Sequence, residues 1–156
     1  MKKKILIAID DSENAKRAVE FVAATFKADH TITLFSVSLN TTAICDLNSP
    51  GLTPYFVSEQ TTFCQMEDQQ KALMQTALEK GKETLRNAGF EEKNIQARLE
   101  TEKKGVARAI LEEIHSGYDL VVLGRRGIGR VQEFFMGSIS QKVVNSARDV
   151  SILLVD

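Results

Sequence analysis

The hydrophobic positions alternate between two spacings along the chain. Lys4 to Ile9 is a short apolar run rich in branched side chains with no polar interruption, the pattern of a parallel strand covered on both faces. Asp11 and Ser12 then offer capping oxygens, and Ala15, Ala18, Val19, Val22 and Phe26 recur three and four apart, which predicts a helix to about Ala28. Thr31 to Leu39 reads as a second strand. The stretch from Asn40 to about Thr62 has no period and holds both prolines, so it is expected to be a long surface loop. Leu73, Ala77, Leu78 and Leu85 predict an amphipathic helix from about Met66 to Ala88, stopped by Gly89. Ile95 to Thr101 is a third strand. A helix on Val106, Ala109, Ile110 and Ile114 closes at Gly117, and a fourth strand follows at Asp119 to Leu123. Ser138 to Ala147 is the last helix and Ser151 to Val155 the last strand.

Five strands alternating with four helices predict an α/β fold, a three-layer sandwich whose five-stranded parallel sheet has helices on both faces because right-handed crossovers place them there. One domain over residues 1–156 is the expectation. In such sheets a ligand lies beyond the carboxyl ends of the strands, where consecutive connections leave in opposite directions. The unusual residues follow strands one and four, which makes those strands neighbours and gives the order 3-2-1-4-5.

Composition narrows the function classes. Twenty Lys and Arg against twenty-one Asp and Glu leave a net charge of -1, without the positive excess that phosphate-backbone binding brings, so no nucleic-acid partner is expected. The apolar run after Met1-Lys2-Lys3-Lys4 ends at Asp10-Asp11, too short for export or for a membrane span. Cys45 and Cys64 form no C-x-x-C motif, and His30 and His115 stand alone. The reading is a reduced, cytoplasmic, metal-free protein with free thiols, a redox pair of the two cysteines being the alternative.

Four of nine glycines, Gly124, Gly127, Gly129 and Gly137, lie within one short segment. Backbone amides freed by glycine and aimed into a helix N-terminus form an anion cradle, and Arg125, Arg126 and Arg130 add donors suited to phosphate. The segment is not a P-loop, because Arg130-Val131 replaces the required Lys and Ser/Thr. Nor is it a dinucleotide fingerprint, since no glycine stands at position 132.

The spacing Gly124-x2-Gly127-x9-Gly137-Ser138 resembles that of the universal stress protein family, whose ATP-binding branch carries G-x2-G-x9-G-[S/T] after the fourth strand. Ile9-Asp10-Asp11-Ser12, Val37 near the end of strand two, and Asp119-Leu120-Val121-Val122-Leu123-Gly124 extend the resemblance over the chain. It implies that Asp10 contacts the ribose or a phosphate-bound Mg²⁺ and that the backbone around Val37 reads adenine. It implies further that Gly124, Gly127, Gly137, Ser138 and Ser140 hold ribose and phosphates. Asp11 stands where the family usually has glycine and adds a second negative charge there. A homodimer is also implied, through antiparallel pairing of the last strand, whose Ile152-Leu153-Leu154-Val155 run has no Lys or Pro to blunt an edge.

Each residue has an ordinary structural reading beside this one: Asp10 and Asp11 as helix caps, Val37 as core, the three arginines as a solvated turn, the glycines as a flexible connection. The leading function is an adenine-nucleotide (ATP) binding stress-response or signalling protein that works without turnover. A slow ATP hydrolase and a nucleotide-free interaction module remain alternatives. A phosphoacceptor receiver fails, because strand three ends in Leu99-Glu100-Thr101 without a phosphorylatable Asp.

Overall fold

The computed structural model describes residues 1–126 and 136–156. In chain order the elements are β1 (Lys4–Ala8), α1 (Glu13–Thr25), β2 (Thr31–Ser38), α2 (Thr42–Cys45), α3 (Pro54–Asn87), a 3-10 turn (Glu92–Asn94), β3 (Ile95–Thr101), α4 (Val106–Ile114), β4 (Leu120–Gly124), α5 (Ser138–Ser146) and β5 (Ser151–Val155). The strands form one parallel sheet in the order β3-β2-β1-β4-β5, as the distribution of unusual residues predicted.

Alternation along the strands divides the core into two layers. Ile5 and Ile7 of β1 join Ala18 and Val22 of α1 and Leu78 and Leu85 of α3 on one face. Leu6, between them, joins Ile110 and Ile114 of α4 and Val143 of α5 on the other. Burying each such aliphatic side chain contributes about 1.5–3 kcal/mol, which is why the buried positions of β1, Ile5, Leu6 and Ile7, are all aliphatic.

Two sequence expectations are corrected between β2 and β3. The predicted loop from Asn40 to Thr62 contains α2 and the first turns of α3, and the predicted helix from Met66 begins twelve residues earlier, at Pro54. Thr53 caps α3, its hydroxyl accepting from Phe56 N at 3.2 Å, and Pro54 occupies the first turn, where its missing N–H costs nothing. These turns show no hydrophobic period because they cover no core: no residue from Leu39 to Leu73 is buried. The packed stripe is Met74, Leu78, Gly81 and Leu85, with Leu73 exposed. Gly81 lets α3 lie close on the sheet, since a Cβ there would sit 3.0 Å from Leu34 Cδ1. The helix ends as expected at Gly89, in the left-handed region at φ 94°.

The cysteines are the second correction. Cys45 and Cys64 form a disulfide, joining α2 to α3, in place of the expected free thiols. The tertiary structure brings their Cα atoms within 5.9 Å, a distance that bridging allows and that a loop without α2 and α3 gave no reason to expect.

Candidate functional site

The carboxyl ends of β1, β2 and β4 open into a cleft of about 540 Å³. Its floor is set by the crossovers: the connection from β1 leaves to one face, that from β4 to the other, and a gap remains between them. Asp10 and Ser12 line it after β1, Val37 and Ser38 at the end of β2, and Gly124 and Arg126 at the end of β4. Gly137, Ser138 and Ser140 complete that side.

The amino ends of four helices, α1, α2, α4 and α5, line the cleft, and those of α1 and α5 are built differently. At α1, Ser12 Oγ accepts from Ala15 N at 3.1 Å and Asp10 Oδ1 accepts from Ser12 N at 3.0 Å, so the chain caps its own amide donors with oxygen. At α5, the capping position is Gly137, which has no side chain to bond the amides of the first turn. An uncapped first turn leaves N–H donors and the positive end of the helix dipole for an anion. The turn is fixed in place all the same. Gly137 N donates to Arg125 O at 2.9 Å, Ser140 Oγ to Gly124 O at 2.8 Å, and Arg125 N to Val155 O at 2.7 Å. Gly124 itself permits the close approach of β4 to α1, for a Cβ would meet Asn14 C at 3.0 Å and Ala15 N at 3.1 Å.

Of the residues singled out from the sequence, Asp10, Val37, Gly124, Arg126, Gly137, Ser138 and Ser140 come together on this cleft. Arg125 is adjacent but not among the lining residues; its guanidinium holds the Asp156 carboxylate at 2.8 and 2.9 Å and keeps that carboxyl below its usual range. Arg126 lies 3.7 Å from the same carboxylate. Gly127 and Arg130 lie outside the described residues. Among the described residues no three His, Cys, Asp or Glu side chains cluster as a metal site. Asp10 fits Mg²⁺ as a single carboxylate, an arrangement that depends on phosphate oxygens for the remaining ligands.

Sequence reading missed the opposite wall. Thr41 and Thr42 line the cleft from α2 and its cap, and Glu67, Gln70, Lys71 and Met74 line it from α3. Their signal was a helical spacing of polar residues, Gln60, Cys64, Glu67 and Gln70, that continues the apolar stripe of Met74 and Leu78 toward the amino end of α3. A period carried by polar residues is invisible to a search for hydrophobic ones.

A family model described as the universal stress protein family matches residues 1–155. The chain belongs to the universal stress protein family. Putative universal stress proteins of Staphylococcus epidermidis and Staphylococcus aureus are 28% identical over 148 residues, spanning 93% of this chain and 79% of each relative. Among solved structures, the hypothetical protein MJ0577 is similar with a TM-score of 0.70 at 23% identity, covering 99% of this chain and 96% of that one. The universal stress protein UspA from Lactobacillus plantarum follows at 0.69 and 19%, covering 99% and 97%. A universal stress protein in complex with cAMP is similar at 0.63 and 15%, covering 99% and 96%. Those likenesses show the shared fold. No helix among the described residues of this universal stress protein is long and apolar enough to cross a membrane.

Proposed function

We propose that the cleft binds an adenine nucleotide, ATP with Mg²⁺, and that this universal stress protein acts in a stress response by changing conformation or partner affinity with occupancy. The observation that carries the reading is the amino end of α5, capped by a glycine without a side-chain bond and placed on the same cleft that Asp10 and Val37 line. Phosphates take the α5 amides and Ser138, Asp10 takes the ribose or the phosphate-bound cation, and the base lies along β2 at Val37. A volume of about 540 Å³ is within the range of small-molecule sites. The structural relative in complex with cAMP supports an adenine nucleotide as the ligand class.

Mass analysis of acid-released small molecules from the purified protein tests this directly, with an adenine nucleotide as the expected result. Added MgATP at a hundred times Kd should contribute about 2.7 kcal/mol by linkage and raise the melting temperature by roughly 5 to 10 °C. No shift at millimolar ATP would remove the reading. We also infer a homodimer paired through β5. That strand is one of the two sheet edges, and Ile152 to Val155 are only partly covered. Light scattering should then give twice the chain mass, and Leu153→Pro should bring it toward the monomer.

A further inference from the structure

One wall of the cleft has no core beneath it. From Leu39 to Leu73 no residue is buried, yet Thr41 and Thr42 on one side, and Glu67, Gln70 and Lys71 on the other, line the cleft. Without an apolar face, α2 gains little from burial, and a helix of four residues is far below the length that holds itself together in water. Its position rests on tethers to α3. Gln60 Nε2 donates to the backbone carbonyl of Ile44 and, at 2.9 Å, to that of Leu47. The covalent tether is the Cys45–Cys64 disulfide. Cys64 stands on the cleft-facing row of α3, one turn before Glu67, and Cys45 ends α2, three residues after Thr42.

We propose that Cys45 and Cys64 are a thiol–disulfide switch that sets whether the α2 wall of the cleft is in place, and so how well the cleft retains its ligand. This rests on the nucleotide reading above. Both cysteines are partly exposed, so a dithiol reductant reaches them. One thiolate of the dithiol attacks a sulfur of the pair and displaces the other as a thiolate, which takes up a proton. The second dithiol sulfur then resolves the mixed disulfide. Two electrons and two protons pass to Cys45 and Cys64, and the dithiol leaves as its own disulfide. With the bond cut, the chain from Asn40 to Thr53 is released from the closed loop that the bond made with α3. The ligand then meets a complete cleft only for the fraction of time that α2 is docked, and apparent affinity falls by that fraction. The buried layers, to which α3 contributes only from Ala77 onward, are untouched by the change.

The experiment compares the oxidised protein, the protein reduced with dithiothreitol, and the Cys45→Ser/Cys64→Ser double variant. Thiol titration of the unreduced protein should find no free thiol, and two free thiols there would overturn the switch at once. MgATP titrated by calorimetry should bind the reduced protein and the double variant about tenfold more weakly than the oxidised protein. The double variant should not respond to dithiothreitol. Amide hydrogen exchange without nucleotide should accelerate in residues 40–53 and the first turns of α3 on reduction, and stay unchanged in β1, β2 and β4. Equal MgATP affinity in both redox states, or unchanged exchange in residues 40–53, overturns the switch while leaving the nucleotide reading intact. No MgATP binding in either state overturns the nucleotide reading and the switch together.

Discussion

The two ends of the parallel sheet use charged residues in opposite ways. At the amino ends the charges are paired and the surface is closed. Asp119, just before β4, accepts from Lys4 N at 2.8 Å and from Lys3 Nζ at 2.9 Å, Lys2 Nζ donates to Asn94 Oδ1 at 2.9 Å, and Lys4 Nζ lies 4.2 Å from the Tyr118 ring centre. Behind them the buried Glu113 carboxylate takes the Tyr118 hydroxyl at 2.6 Å and Arg98 at 2.7 Å, and burial with that hydrogen bond pushes the Tyr118 phenol up to about 12. At the carboxyl ends Arg125 and Arg126 hold Asp156, but Asp10, Arg126 and the amino end of α5 also line a cleft. Every strand here runs the same way, so one sheet end collects the strand starts and the other the strand exits. Polar groups that close the first end stabilise the fold, and those that frame the second leave a place for a ligand.

This contrast breaks most completely at Gly124. A branched side chain there would press into the Asn14 and Ala15 backbone, so Gly124→Val should cost about 3 kcal/mol of stability and abolish MgATP binding, read by thermal melting and calorimetry. At the closed end, Arg98→Met should cost about 2 kcal/mol. It leaves the buried Glu113 carboxylate with the Tyr118 hydroxyl alone; Arg98 is itself half exposed, which keeps the cost below that of a fully buried pair. MgATP affinity should not change, and a parallel loss of affinity would mean that the two ends are coupled.

The smallest effect is expected at Asp119. The Lys4 backbone N–H, and then Lys3, hold its carboxyl below the usual range. A carboxyl lowered on folding contributes its stability in full above its unfolded value of about 3.9, and loses it as pH falls through the folded value. The wild type should therefore melt slightly higher than Asp119→Asn at pH 7, and the gap should close as pH drops below about 4. A gap that widened on acidification would refute the assignment.

How much of this was legible depended on which force wrote the signal. Strands β1, β2 and β4 were readable because burial on both faces of a parallel sheet imposes apolar runs, β3 from its alternation, α4 from its helical spacing, and the order 3-2-1-4-5 because glycine and aspartate collect where strands exit. Asp10, Gly124, Arg126, Gly137 and Ser138 were readable from glycine spacing and strand positions, Val37 and Ser140 only through the family resemblance, and all seven share one cleft. The amino-terminal turns of α3 left no such trace. A helix that covers a cleft rather than a core carries polar residues on its inner row, so Gln60 fell in the predicted loop, and Glu67 and Gln70, inside the predicted helix, gave no sign of lining a site.

What the linear chain determined by itself is therefore the sheet and the strand-exit side of the site, because both follow from local periodicity and from residue types with special backbone or charge. What only the tertiary structure decided are the contacts between segments that share no pattern: Cys45 against Cys64, Arg125 against Asp156, and the α2 wall opposite α5. Pairings of this kind depend on where two elements land after the chain has crossed the sheet. Spacing along the sequence does not encode that distance, and only the packed layers on either face of the sheet set it.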